Sequence, residues 1–452
     1  MEPLSSSYRD NDGFVFKKDN KIYRLIRPSY YSDLQLLTES GLYKKLTSKN
    51  QLIRHEAVEW NELKEERKVI LPEQIPFISY AYEWSFDMWK DAALLTLNIA
   101  KASLEKGMTL KDATPFNIQF HNGAPIFIDT LSFTKYEEGT PWIAYRQFCE
   151  CFLGPLLLMH YCHRDAAKLF LAYPNGIPLE IILSLLPKKT RWNLHVYLHI
   201  HLQAKVSAKA KKQANETKGN FPKQKLVVLL NGLHDFVNKL SPKKDKSVWD
   251  DYYTETILGE SYLQAKNELV LKFAEAAAFE TVTDLGANDG YFSMLLKDKA
   301  KLIIAADADS NCINEFYLQL KKAGIKNIVP VVSELNNPSP AIGWNNEERE
   351  KLSGRIKADL VMALALVHHL AIALNVPLPF IARWLAPMCT YLIIEFVPKS
   401  DPKVQQLLKN REDIFSGYSL ENFREVFSAD FEILTEEKVG QTDRSLFLMK
   451  KR

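Results

Sequence analysis

The chain has 452 residues, 46% of them hydrophobic and 25% charged, with a formal net charge of +3; that is ordinary globular composition with room for two or three domains, and the whole-chain charge makes no case for nucleic acid as a partner. Five cysteines (Cys149, Cys151, Cys162, Cys312, Cys389) at no framework spacing point to reduced thiols in a cytosol. Met1–Ser7 has no basic-then-apolar pattern, and no apolar run reaches the ~20 residues that span a bilayer, so a soluble, cytoplasmic protein with no membrane partner is expected.

In chain order, Phe14-Val15-Phe16 and Lys21 to Ile26 read as a hairpin around Lys18-Asp19-Asn20. Leu34, Leu37, Leu42 and Leu46 have helical spacing over 31–48. Trp89 to Lys106 is a largely apolar helix closed by Gly107. Pro141 to Tyr161 is another, rich in aromatics. The nearby Cys149, Cys151, Cys162, His160 and His163 lack metal-ligand spacing and read as core; no metal site is expected. His195 and His199, four apart, read as a surface pair on a helix.

Between those two helices, Leu110-Lys111-Asp112 leads to Asn117, a strand, the turn His121-Asn122-Gly123, and a second strand ending at Asp129. This stretch resembles the catalytic loop of protein and small-molecule kinases. The resemblance implies that Asp112 accepts the proton of an attacking hydroxyl while Asn117 and Asp129 hold metal ions. Three departures stand against it. Leu110-Lys111 replaces the usual His or Gly-Asp, no glycine-rich loop lies upstream (Gly13 and Gly41 stand alone), and no strand lysine can be chosen. Glu56 and Glu59 are the candidates for its helix glutamate. Turn chemistry is the alternative for Asp112 and Asn117. Residues 1–202 are read as an α+β domain, degenerate and kinase-like on this resemblance.

Residues 203–247 form the expected joint. Lys205, Lys209, Lys211, Lys212, Lys218, Lys223 and Lys225 are relieved only by Glu216, as in a solvated linker, and Leu226 to Leu240 is a short amphipathic helix.

The region 248–452 opens on the aromatic-acidic cluster Trp249-Asp250-Asp251-Tyr252-Tyr253, which reads as surface packing or, by analogy with the enzymes resembled below, as a lid, and a helix over Leu263–Phe279. Thr281 to Leu285 is a strand. Gly286-Ala287-Asn288-Asp289-Gly290 is a tight turn into a helix, and Leu302 to Ala306 is a second strand ending at Asp307. Gly286 and Gly290 allow a sharp turn and close approach of a ligand. Asp307 is placed to accept hydrogen bonds from ribose hydroxyls. The loop lacks the third glycine of the dinucleotide fingerprint, and Asp284 and Asp289 put negative charge where a pyrophosphate would lie. Ile325 to Val332 is a third strand, 334–357 a polar insertion suited to a substrate loop, and Phe431–Leu434 with Ser445–Met449 a closing hairpin. The alternation predicts a mostly parallel, doubly wound α/β sheet with its crevice at the switch point.

Asp284-Leu285-Gly286-Ala287-Asn288-Asp289-Gly290 resembles motif I of the class I S-adenosylmethionine (SAM)-dependent methyltransferases, whose sheet is Rossmann-like. Asp307, the run Asp359–Leu370 and Leu392–Phe396 resemble their second, fourth and fifth strand ends. More narrowly, His368-His369 through Glu395-Phe396-Val397-Pro398-Lys399-Ser400-Asp401 is similar to the nodulation protein NoeA-like methyltransferases, which also carry the Asp112 to Asp129 stretch. The resemblance implies SAM as cofactor, held by Asp284, Gly286, Asn288, Gly290, Asp307, Asp309, Ser333 and Ala363. It implies His368 or His369, or else Glu395, as the base for an acceptor that must lose a proton, with Lys399, Ser400 and Asp401 near the acceptor. A small-molecule or carbohydrate-like acceptor is expected. Leu364-Ala365-Leu366-Val367 replaces the Asn/Asp-Pro-Pro-Tyr/Phe motif of amino-directed base methylases, which argues against exocyclic amine methylation of bases though not against other RNA positions; a nucleic-acid partner is not expected. Two alternatives stay open: a SAM-binding regulatory protein with a pseudokinase-like docking module, and a bifunctional methyltransferase and phosphotransferase.

Overall fold

A computed structural model describes residues 3–60, 67–210, 221–243 and 259–452. The aromatic-acidic cluster at 249–253 lies outside them, as do Lys211, Lys212 and Lys218. The chain divides into two compact units: Met1–Lys244 with Ala341–Glu350, and Asp245–Pro340 with Lys351–Arg452.

Unit 1 opens with an antiparallel sheet of β1 (Gly13–Lys18), β2 (Lys21–Ile26), β3 (His55–Val58) and β4 (Lys68–Pro72), in the order β1-β2-β4-β3. The hairpin expected around Lys18-Asp19-Asn20 is present, with Lys18 paired to Lys21 and a two-residue loop between them. Asp19 and Asn20 both take positive φ, the geometry that matches strand twist. The helix expected over 31–48 is two, Tyr31–Glu39 and Leu42–Ser48, because Gly41 takes φ +74° between them. Glu56 lies on β3, so it is no helix glutamate. The helix Phe86–Glu105 is buried along most of its length and ends before Gly107 at φ +73°. Next come β5 (Met108–Leu110), β6 (Ile118–His121), β7 (Ala124–Phe127) and β8 (Phe133–Lys135), with β5 paired to β8 and β6 to β7.

The helix expected from Pro141 starts at Tyr145 and carries a π turn at Cys149–Leu153. Pro155 has no N–H to continue a regular ladder, and the Gly154 N–H reaches back five residues to the Cys149 carbonyl. His199 is buried rather than on the surface, within 2.7 Å of the Tyr145 hydroxyl. Part of the expected joint belongs to the unit's core. The helix Lys223–Lys239 packs on Phe86–Glu105 through buried Leu226, Leu230, Leu233 and Phe236.

Unit 2 begins with the helix Glu260–Ala276, whose buried face carries Lys266, Val270 and Phe273. Burying the last two contributes roughly 1.5–3 kcal/mol each. Its seven strands are β9 (Thr281–Leu285), β10 (Leu302–Asp307), β11 (Ile328–Val332), β12 (Ala358–Ala363), β13 (Cys389–Phe396), β14 (Phe431–Lys438) and β15 (Ser445–Lys451). They lie in the order β11-β10-β9-β12-β13-β15-β14. The first five are parallel and β15 runs antiparallel to both β13 and β14. This is the expected doubly wound sheet with its closing hairpin. From β9 the chain winds outward to β11, then returns to the other side of β9 as β12. The switch point therefore lies between β9 and β12. Of the expected substrate insertion, Ala341–Glu350 is part of unit 1.

Candidate functional site

Unit 2 has a cavity of about 400 Å³ at this switch point, lined by residues that leave β9, β10 and β12. The loop after β9 is pinned from below. The Gly286 and Ala287 N–H groups donate to the Ala306 carbonyl at 2.9 and 3.1 Å. Gly286 (φ +78°) and Asn288 (φ +50°) line the cavity. Gly290 does not line it. It turns the chain into the helix Tyr291–Leu295 at φ +79°, and a Cβ there would lie 2.1 Å from the Phe316 ring. Asp284 is buried and accepts the Ser293 hydroxyl at 2.8 Å; burial pushes its carboxyl up to about 7.

Asp307 ends β10 and faces the cavity. Its two oxygens accept the backbone N–H groups of Asn288 (2.9 Å) and Asp309 (2.8 Å). Burial raises its pKa, and no cation pairs with it among the described residues. Asp309 is engaged elsewhere: it caps the helix Ser310–Ala323 by accepting the Asn311 and Cys312 N–H groups. Ser333 and Ala363 are buried and do not line the cavity; their chain neighbours Leu335, Asn336, Leu364 and Ala365 do. Ala365 takes φ +50°, uncommon without a glycine and worth noticing beside a cavity.

The two histidines after β12 part company. His369 lines the cavity. Burial, then the nearby Lys403 and Arg444 charges, bring its pKa down to about 4, so it is neutral at pH 7. His368 is 1% exposed and does not line the cavity, and neither ring nitrogen has a hydrogen-bond partner among the described residues. Buried against its neighbour, it is held well below the usual range and is no base for a cavity ligand. Glu395 is also corrected. It is fully buried and bound by the Lys266 ammonium (2.6 Å), the Tyr262 hydroxyl (2.7 Å) and the Arg444 guanidinium (3.4 Å). Burial works to raise its pKa, but Lys266 and Arg444 prevail and hold it at about 2. A carboxylate fixed in that way does not take protons at neutral pH.

Sequence reasoning missed the cluster around Glu395. Arg444 forks onto Asp401 at 2.7 and 3.0 Å and donates to Tyr262 at 2.8 Å. Two cations and two carboxylates therefore close a neutral network, with Tyr262, Lys266 and Arg444 on the cavity wall. One signal was available. Lys266 stands at the position of an apolar residue on a helix face continued by Val270 and Phe273. Asp401, expected near the acceptor, is committed to Arg444, and Lys399 pairs with Asp413 at 2.8 Å.

In unit 1, Asp112, Asn117 and Asp129 line one cleft of about 530 Å³. Their groups are engaged with one another's surroundings. The Asp129 carboxylate pairs with Arg24 of β2 and accepts the Ser132 hydroxyl (2.5 Å) and the Leu131 N–H (3.1 Å). Asn117 donates to Ser132 at 3.0 Å. Burial raises the Asp129 pKa and Arg24 overrides it, so the carboxylate stays ionised. With a guanidinium on Asp129, this donor set does not fit a metal ion.

No family model matches the chain. It is 31% identical over 455 residues to the nodulation protein NoeA of Rhizobium meliloti (strain 1021), covering 98% of this chain and 95% of the relative. The chain belongs to the NoeA family. Among solved structures, this NoeA family member is similar to the N-methyltransferase NodS from Bradyrhizobium japonicum WM9, at 11% identity over 42% of this chain and 97% of that one, TM-score 0.33. It is also similar to the bifunctional kinase-methyltransferase WbdD, at 16% identity over 45% and 41% of the two chains, TM-score 0.31. Scores of this size do not carry an argument about shared chemistry.

Proposed function

We propose that this NoeA family member is a SAM-dependent methyltransferase acting on a small-molecule or carbohydrate-like acceptor. The observation that carries the reading is Asp307, a cavity-facing carboxylate at the switch point with no paired cation. Two ribose hydroxyls would supply the donors it lacks, beyond the two backbone N–H groups that fix its rotamer. The loop Gly286–Gly290 carries Asp289 and no cation, which opposes a pyrophosphate. Gly286 and Asn288 would hold the nucleoside side of the cofactor. When bound, its sulfonium supplies a methyl group already activated for in-line displacement.

The protein's own part is then position and proton traffic. Leu364, Leu366 and Leu370 give the cavity an apolar wall. The neutral network of Tyr262, Lys266, Glu395, Arg444 and Asp401 fixes the polar wall without adding net charge. His369 takes the proton of an acceptor hydroxyl or ammonium. The relative is a nodulation protein, which favours a decorated metabolite or oligosaccharide as acceptor. A second activity in phosphoryl transfer is disfavoured by the Arg24–Asp129 pair.

The test is transfer of labelled methyl from SAM to fractionated small metabolites and oligosaccharides. Wild type should label a fraction, and His369→Asn should lose 10²–10⁴-fold in rate. Tight cofactor binding with no labelled product in any fraction would favour the regulatory reading instead.

A further inference from the structure

The helical run of unit 1 that follows Leu185 is apolar on its outside. Trp192 is 86% exposed, Leu194 67% and Val206 53%, and Tyr197, Leu198 and Leu202 are exposed as well. The opposite side of the same run is also apolar, with Val196 and Ile200 buried in the unit. Leu194, Leu198, Leu202 and Val206 recur every four residues. They run through the α-helical Leu194–Val196, the π turn Tyr197–Leu202 and the α-helical Gln203–Ala210; four residues are slightly more than a turn of an α-helix and slightly less than one of a π turn, so the four stay on one side. An outward apolar stripe is the reverse of what a solvated helix shows.

The charge on this stretch is one-sided. Between Glu180 and Glu216 the sequence has no acidic residue, while Lys188, Lys189, Arg191, Lys205, Lys209, Lys211 and Lys212 are basic. Lys188, Lys189, Arg191 and Lys205 are exposed, and the Lys205 ammonium lies 5.9 Å from the ring centroid of Tyr197. Three kinds of partner can be weighed against these two facts. A second copy of the chain, meeting the same patch across a two-fold axis, would face cations with cations. RNA would satisfy the charge, but its phosphates gain nothing from exposed leucine and valine. An anionic bilayer satisfies both, taking leucine and tryptophan at the headgroup level and pairing lysine and arginine with lipid phosphates.

We propose that this face of unit 1 docks on an anionic membrane surface, with Trp192, Leu194, Leu198 and Leu202 entering the headgroup region and the flanking basic side chains pairing with lipid phosphates. The protein lies on the bilayer and does not cross it; among the described residues no helix is long and apolar enough to do so. This departs from the sequence-based expectation of no membrane partner, and it does not depend on the methyltransferase reading.

The experiment is co-sedimentation of the full chain with vesicles of phosphatidylcholine and phosphatidylglycerol, against vesicles of phosphatidylcholine alone. Two variants are compared, Trp192→Ser/Leu194→Gln/Leu198→Gln and Lys188→Gln/Lys189→Gln/Arg191→Gln, each checked for folding by circular dichroism. Wild type should sediment with the anionic vesicles at low salt and be released by added salt. The charge variant should bind roughly a hundredfold more weakly, and the apolar variant at least about tenfold more weakly. Folded wild type that ignores anionic vesicles would overturn the proposal. Equal binding by both variants would do so as well, and so would a dimer or an RNA complex lost in the variants when vesicles are not bound.

Discussion

His369 is the one histidine of the pair that reaches the cavity, and its neutrality at pH 7 comes from burial and from two nearby cations. A base of this kind works while unprotonated. Titration of His369 should therefore lower the rate of methyl transfer only as pH drops through about 4, and any inflection near 7 belongs to Asp284. An inflection near 6.5 in kcat against pH that persists in Asp284→Asn would contradict the assignment. Glu395 makes the opposite case. Its folded-state pKa of about 2 lies below the usual 4.5, so it contributes stability that is complete above 4.5 and is lost as pH falls toward 2. Glu395→Gln would leave Lys266 and Arg444 short of a buried counter-charge. It should cost about 3–5 kcal/mol in urea unfolding, because breaking one side of a buried ion network strands the other. A loss under about 1 kcal/mol would mean that the network relaxes or admits water. The sequence offered His369 as one of three candidate bases, and the structural role of Glu395 was not legible in it. His368 and His369 are adjacent, and only the fold shows that His369, the first residue of the π turn His369–Ala373, lines the cavity. Lys266, Glu395 and Arg444 are far apart in the chain, and no motif joins them.

At the scale of elements, the β9–loop–β10 unit was legible almost to the residue, because its chemistry is local. Glycine at positive φ, an apolar run on each side and a terminal carboxylate specify it within about thirty positions. Gly290 carries the most constraint there. Gly290→Ala must adopt φ +79° and place its Cβ inside the Phe316 ring. It should destabilise unit 2 by about 3 kcal/mol and weaken nucleoside binding with it. A thermal midpoint equal to wild type would show that Phe316 can move aside. The helical elements of unit 1 were read less well. Periodicity ran through Gly41 and took two helices for one, since apolar spacing does not report a left-handed residue. The amphipathic helix expected over Leu226–Leu240 is present as Lys223–Lys239, and its buried leucines fix it to the unit rather than leaving it in a joint. Charge runs describe one face of a segment and say little about the other.

At the scale of the whole molecule, the chain divides between Lys244 and Asp245. The exception is Ala341–Glu350, which interrupts unit 2 in sequence and belongs to unit 1. There the Arg349 guanidinium stacks 4.1 Å from the Phe116 ring centroid, and Glu348 pairs with Arg9 at 2.7 Å. No local pattern announces such an excursion. Within unit 1 the three kinase-like positions do converge, yet Arg24 neutralises the carboxylate that a metal would need. ATP with magnesium should therefore leave the thermal midpoint unchanged and show no hydrolysis above background. Hydrolysis that disappears in Asp129→Ala would restore the phosphotransfer reading.

The central claim is that unit 2 holds SAM with Asp307 on its ribose, and calorimetric titration with S-adenosylhomocysteine tests it most directly. Wild type should bind in the micromolar range. Asp307→Ala, folded by circular dichroism, should bind roughly 10- to 100-fold more weakly, the loss expected for hydrogen bonds to a charged group. No heat of binding from well-folded wild type, or equal affinity in the variant, would contradict the account.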